Sequence, residues 1–507
     1  MKQLNVSALR EILTNRLDAA RAARIFTWLC IAFAAVASGY MFAARFFHLT
    51  NGLQYDELYS AITASPKLPL GFVWKNMLWQ DINLPLYNIL LFVWNRIFPY
   101  TYVSMRLFSA LTGALAVVMA WVCAPAYWTR LKKYIFVSLV ACSFILVGYG
   151  AIVRTYSLAV LVSVVFSLLA LRFIDAFSRG ETPSRRAWLT FFTVGLIGSY
   201  CHFFCTGVFF ITALVVFLYA CYYKVGRAWA FWGTAVVFGL WSFWLWHVVV
   251  ALRAVASGNG WWFKTPFVKA TFDILRFLFG EHTIFVGLLY GLVLSGVSLI
   301  STYKTKLFKQ ADIILPLAQI VLLLGVVAVA SCRVNLWLDR YFLPLMPAFI
   351  LLFAGCLDHL RQRHVVLLIL WPVLLTSWVW MYHQLAHLEW PEYTGLQDAF
   401  TYLTKTHPVD KVLVDMERTG YPMLAFRRML AFYIPPDSNL QMIPFTAQTA
   451  HLSWETNPKT LVMLPLCSQI HLIYSSGETR TEPEEEPKLF GRDTCIYTVR
   501  PVKPKKL

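Results

Sequence analysis

The chain has 507 residues, of which 59% are hydrophobic and only 14% charged, and its formal net charge is +18. A soluble globular domain carries roughly 25% charged residues, so the composition excludes a soluble enzyme and points to a protein embedded in a bilayer. The positive excess fits cytoplasmic loops and anionic lipid headgroups, with no need for a nucleic-acid partner.

Residues 4–20 place Leu4, Leu9, Ile12, Leu13 and Leu17 at helical spacing among polar residues, the pattern of a helix lying in the membrane interface. A helix needs about 20 apolar residues to cross a ~30 Å hydrocarbon core. The runs that read as crossings are 25–48, 102–125, 134–151, 155–174, 187–203, 205–223, 229–250, 283–302, 311–331, 341–357 and 364–383. The first follows Arg21 and Arg24 and contains a signal-like Ala-Val-Ala-Ser, but it stays apolar through Phe47. That is longer than a signal core, so it reads as an uncleaved span.

Lysine and arginine collect at 129–133, 172–186, 224–227, 304–309 and 361–363, which places these connections and the N-terminus in the cytoplasm. The loops 49–82, 252–282 and 332–340 and the C-terminal tail then face outward. Residues 83–125 must cross an odd number of times. The short run 84–98 is either re-entrant, for 11 transmembrane helices, or part of a triple crossing, for 13. The fold expected is a polytopic α-helical membrane protein with two parts, a membrane domain over 1–387 and an outward-facing soluble α/β domain over 388–507.

In the tail, 411–416, 460–466, 470–476 and 494–500 are short apolar runs between polar turns, which is the pattern of strands. Residues 420–434 read as a helix between the first two, and the Pro- and Glu-rich 481–487 as a solvated loop. Most of the ten cysteines lie in or beside spans as small apolar fillers. Cys467 and Cys495 lie in the outward tail, where an oxidising compartment would favour a bridge. Aromatic residues make up 16%, with 20 Trp, as interfacial belts require.

Charges near a bilayer are costly and tend to mark sites. On the outward side the acids Asp56, Glu57 and Asp81 come early, in "QYDELYS" and "WQDINLPLYNILLFVW", whereas Arg154, Arg253, Lys264, Arg333 and Arg340 are spread over later loops. A carboxylate can act as general base toward a hydroxyl, and converging Arg and Lys can hold a phosphate. The bland alternatives are helix caps for the acids and interface anchors for the arginines. His48, His202 and His282 are of the residue type that joins acids around a divalent metal, but no fixed-spacing metal motif is present. No Gly-rich phosphate loop appears either, which disfavours a nucleotide-sugar donor.

Taken in order, "YDELYS", "DINLPLYNILLFVW", "SMRLFSALTGAL", "YGAIVRTYSLAVL" and "DRYFLPLMPAF" resemble the GT-C glycosyltransferases that use polyprenyl-phosphate sugars, the group of the protein O-mannosyltransferases and the lipid A aminoarabinose transferase. The resemblance implies transfer of a sugar from a polyprenyl-phosphate donor to an acceptor hydroxyl on a lipid, glycan or protein, with inversion, at the outer membrane face. It implies Asp56 as catalytic base, with Glu57 beside it and Asp81 as a further candidate, and a donor-phosphate clamp of Arg154, Arg340 and Tyr341, joined by Lys264 and Arg333. Asn83 and Leu84 depart from the group's His and Pro. The expected location is a bacterial inner membrane with the catalytic face and tail in the periplasm. The sequence assigns no cofactor, and a divalent metal is compatible. The competing reading is a transporter or flippase of lipid-linked sugars, which would more naturally show paired broken helices in two related halves; the sequence shows no such symmetry.

Overall fold

The computed structural model describes residues 6–80, 83–257, 267–280, 311–331, 337–361, 368–387 and 396–406, and in the tail 411–414, 431–434, 438, 440–444, 460–464, 475–476, 479–483, 488–490, 494–497 and 499–502. The chain divides into two compact units. The first is Met1–Phe47, Leu78–Tyr87 and Ser109–His383, and the second is His48–Met77, Asn88–Phe108 and Gln384–Leu507. Most of the first outward loop, through Met77, groups with the tail, whereas the sequence assigns it to the membrane domain.

Among the described residues, seven helices are long and apolar enough to cross a membrane: Arg21–Ala44, Tyr102–Val122, Tyr156–Ser178, Phe203–Tyr223, Arg227–Leu245, Ala311–Ser331 and Asp339–His359. Arg130–Cys142 and Phe144–Ala151 add an eighth if the pair, bent by 54°, is one span. The expected spans 187–203 and 364–383 correspond to helices of 17 and 18 residues, Arg185–Cys201 and Leu370–His387. The expected span 283–302 lies outside the described residues. At the N-terminus the structure differs from expectation, because Val6–Ala44 is one continuous helix of 39 residues. The segment expected in the interface runs on into the first span without a break.

Local sequence explains the helix starts. Thr129 Oγ1 accepts from the Lys132 amide at 3.1 Å and Ser184 Oγ from the Ala187 amide at 3.2 Å, each satisfying an amide that the first turn leaves without an intrahelical partner. In the first unit, Tyr156–Ser178 packs against Arg185–Cys201, Phe203–Tyr223 and Ala311–Ser331. Most of its side chains are buried, as expected of a helix that is apolar all round.

Buried polar groups tie these helices together. Lys132 Nζ lies 2.6 Å from Asp312 Oδ2, and Oδ1 of the same carboxylate accepts from Tyr127 Oη at 2.7 Å and Trp128 Nε1 at 3.0 Å. The acid sits in the first turn of Ala311–Ser331, where the helix dipole favours it. Gln319 Nε2 donates to Ser167 Oγ at 2.9 Å and Thr212 Oγ1 at 2.7 Å, joining three helices. Arg45, 2% exposed, donates to the carbonyls of Met41, Ala141 and Val140 at 2.9, 2.9 and 3.1 Å. The last two belong to the final turn of Arg130–Cys142, whose carbonyls have no intrahelical partner at the bend. Arg45 thus caps a broken span.

The second unit opens with Tyr55–Thr63 and Leu70–Asn76. Leu86–Ile97 has 12 residues, about 18 Å of helix, too short to cross the core. Arg106, near the start of Tyr102–Val122, bonds to Asn51 and Gly52 in the first loop. The chain therefore returns to the side it left, which selects the re-entrant reading of 84–98.

In the tail, one sheet has the order Gln441–Pro444, Lys411–Val414, Thr460–Leu464, Thr494–Tyr497, Lys488–Phe490. The first three strands are parallel and the last two join antiparallel. The helix Leu396–Thr401 packs against Thr494–Tyr497 and the edge strand Lys488–Phe490. Ser475–Ser476, Thr479–Pro483 and Val499–Val502 form a second, antiparallel sheet. Three expected strands are present. Of 470–476 only the last two residues are described, as strand. Of the expected helix 420–434 only the last four are described, with a 3₁₀ turn at Ala431–Tyr433. Thr481–Pro483, expected in a solvated loop, is strand instead. In the register Glu482 stands opposite Arg500, and the backbone of this stretch pairs with Val499–Val502 across the sheet.

Candidate functional site

Asp56 is the second residue of Tyr55–Thr63 and is half-buried. What fixes its position is the stretch before it. Glu57, 1% exposed, turns its Oε2 back to accept from the Gln54 amide at 3.0 Å, the return arm of a capping box. The same oxygen lies 2.7 Å from Arg106 Nη2. Arg106 also donates to the carbonyls of Asn51 at 2.9 Å and Gly52 at 2.6 Å. From the tail, Tyr433 Oη donates to the Leu53 carbonyl at 2.8 Å and accepts from the Leu53 amide. Gly52 is required at this crossing, since a Cβ there would lie 2.7 Å from Gln397 Cβ.

The two adjacent acids therefore have different surroundings. Glu57 Oε2 is committed to a buried ion pair and a backbone amide, which suits support better than proton transfer. Asp56 keeps partial exposure on a turn that its neighbours hold. Arg106 ties the start of Tyr102–Val122 to the loop carbonyls and to Glu57, and so holds this arrangement together. His48 is held below the ordinary imidazole range by burial and by the Arg106 charge, so it stays neutral near pH 7. Asp81, Lys264 and Arg333 lie outside the described residues.

In the first unit the sequence-derived phosphate ligands come from two segments. Arg154 lies in the short turn before Tyr156–Ser178, where its amide donates to the Ile152 carbonyl at 2.7 Å. Thr155 Oγ1 donates to the Cys201 carbonyl at 2.9 Å, drawing this turn onto the end of Arg185–Cys201. The next residue, His202, joins that helix to Phe203–Tyr223 and accepts at Nδ1 from the Phe204 amide at 3.2 Å. Arg340 and Tyr341 lie in the 3₁₀ helix Asp339–Leu345, with the Arg340 amide bonded to Asp339 Oδ1 at 2.8 Å.

His202 is where these segments meet. The ring of Tyr341 stands edge-on to it at 5.6 Å and that of Tyr156 lies at 6.4 Å. Burial, with the Arg154 charge behind it, pushes the imidazole well below its usual range. A neutral ring that accepts at Nδ1 carries its proton on Nε2. Tyr341 thus meets His202 beside the turn that bears Arg154, and Arg340 precedes Tyr341 in its own turn. The sequence reading saw His202 only as a possible metal ligand, because its meeting with "DRY" is made by the fold and not by spacing. Among the described residues, no group of three or more His, Cys, Asp and Glu side chains is placed to hold a metal ion.

No family model and no curated protein matches this chain. Solved structures do. ArnT from Cupriavidus metallidurans in the apo state superposes with a TM-score of 0.51 at 13% identity, covering 94% of this chain and 98% of that one. The same protein bound to undecaprenyl phosphate gives a TM-score of 0.49 at 14% identity over 93% and 97%. The Archaeoglobus fulgidus oligosaccharyltransferase in complex with Zn and sulfate gives 0.43 at 12% identity over 82% and 58%. The match to apo ArnT, nearly end to end in both chains, shows that this integral membrane protein has the GT-C fold.

Proposed function

We propose that the protein is a glycosyltransferase that moves a sugar from a polyprenyl-phosphate carrier to an acceptor hydroxyl at the outward face of the membrane. The observation that supports this reading is that Tyr341, from one segment, meets His202 beside the turn that bears Arg154, which Thr155 draws onto Cys201. Arg154 and Arg340 hold the donor phosphate, Arg by a bidentate fork, while Tyr341 and His202 Nε2 donate to its remaining oxygens. Asp56 takes the proton from the acceptor hydroxyl. The acceptor oxygen forms a bond to the anomeric carbon, the bond from that carbon to the phosphate oxygen breaks from the opposite face, and the carrier phosphate leaves with the electron pair. Inversion follows. Charge stabilisation of the departing phosphate is the main electrostatic contribution, and Glu57 serves by holding the turn that bears Asp56. Lys264 and Arg333 are proposed to complete the clamp. The outward face is the periplasm of a bacterial inner membrane in this reading.

The reading is tested by incubating the purified protein in detergent with radiolabelled polyprenyl-phosphate sugars and a crude membrane extract. Label should pass to an acceptor, and Arg154→Ala should weaken donor binding at least tenfold while the protein stays folded. Donor binding without transfer would favour carriage of lipid-linked sugars across the membrane. Unchanged donor affinity in Arg154→Ala would remove the arginine from the clamp.

A further inference from the structure

The second unit contains a cleft of about 610 Å³, within the range of small-ligand sites. Its walls come from three stretches: the end of Tyr55–Thr63 with the turn after it, the turn at 100–102, and the tail segments 397–405 and 432–434. No residue of the proposed phosphate clamp takes part.

The lining has a distinct chemistry. Tyr100, Tyr102, Phe432 and Tyr433 contribute four aromatic rings. Three of the rings are held through their hydroxyls. Tyr100 Oη donates to the Ala61 carbonyl at 2.8 Å, Tyr433 Oη is held at Leu53, and Tyr102 Oη accepts from Gln397 Nε2 at 3.1 Å. Tyr100 and Phe432 meet edge to face at 5.5 Å. Ser65, Thr401 and Thr404 also line the cleft, and the two threonine hydroxyls, which donate to the Gln397 and Phe400 carbonyls, keep lone pairs to accept from a ligand. Lys67 and Lys405 lie at the exposed margin, and the lining includes no Asp or Glu.

Fixed rings offer flat carbon surface to the C–H faces of a sugar, hydroxyls and an amide match its hydroxyl groups, and two cations without a lining acid call for a negative substituent. We infer that this cleft binds a saccharide carrying an anionic group, and that it holds the acceptor. The second half of the inference rests on the transferase reading. Ile62 lines the cleft and Asp56 lies six residues earlier on the same helix, about 9 Å along its axis. In this reading the far end of a seated sugar reaches the proposed base from within the same unit.

Binding can be measured without donor or turnover. Saturation-transfer NMR titrations of the full-length protein in detergent would compare 3′-sulfated lactose, lactose and inorganic sulfate, using wild type, the double variant Lys67→Gln/Lys405→Gln, Tyr102→Leu and Asp56→Asn. Sulfated lactose should bind more tightly than lactose, and sulfate alone should not compete at equal concentration. The double variant should lose at least tenfold in affinity for sulfated lactose but little for lactose, Tyr102→Leu should weaken both sugars, and Asp56→Asn should bind like wild type. No binding of sulfated lactose, or equal binding by the double variant, would overturn the site. Equal binding of sulfate alone would reduce it to an anion patch and overturn the saccharide assignment. Binding as expected in a protein that transfers no sugar would keep the cleft and reject only its acceptor role.

Discussion

The two units use buried polar groups differently. In the helical unit, Lys132–Asp312, Gln319 and Arg45 each join one helix to another, so the work of positioning is spread over separate places. In the second unit, Arg106, Glu57 and Tyr433 converge on residues 51–57. Helices are stiff already and need only to be pinned at a few points. A loop has no ladder of its own, so holding one carboxylate in place takes several bonds to its backbone. Polar groups gathered on a loop therefore mark the place where geometry matters most.

Arg106→Ala is expected to break this contrast most strongly. It leaves Glu57 buried without its charge partner and two loop carbonyls without a donor, a loss of about 3–5 kcal/mol for a buried pair. Thermal unfolding in detergent should show it, and sugar transfer should fall in whatever folded protein remains. Lys132→Ala should cost a similar amount of stability yet leave the transfer rate per folded molecule unchanged. If both variants lose activity alike, the loop has no special status.

Gly52→Ala comes next. The added methyl meets Gln397 and must push the tail from the loop, at a cost of about 1–3 kcal/mol for overpacking, read as a lowered midpoint in denaturant. The smallest effect should be Gln319→Leu. Hydrogen bonds between helices in a membrane average about 0.6 kcal/mol, so loss of two should lower stability by about 1 kcal/mol and leave transfer unaltered.

How far the sequence carried this picture depended on the kind of contact. Long apolar runs located the helices because burial needs only composition and length. The acidic pair stood out in "YDELYS", but its division of labour did not, because Glu57 is assigned by Arg106, 49 positions away in sequence. Arg45 was hidden inside the apolar run 25–48, since nothing local signals the broken helix that it caps. The same reasoning covers Leu86–Ile97, where hydropathy alone could not separate a short re-entrant helix from a crossing. In the tail, parallel strands read well as apolar runs, whereas Thr481–Pro483 was missed because its pairing depends on Val499–Val502 across the sheet.

The measurement that bears most directly on the proposed mechanism is sugar transfer by purified wild type and Asp56→Asn, each shown by its unfolding midpoint to be folded. The substitution keeps the shape of the side chain and removes its ability to take a proton. Loss of a positioned general base typically costs 10²–10⁴-fold in rate, so transfer should fall by about that factor while donor affinity stays at the wild-type value. Equal rates in the two proteins would contradict the assignment of Asp56 and move the base elsewhere in the first outward loop.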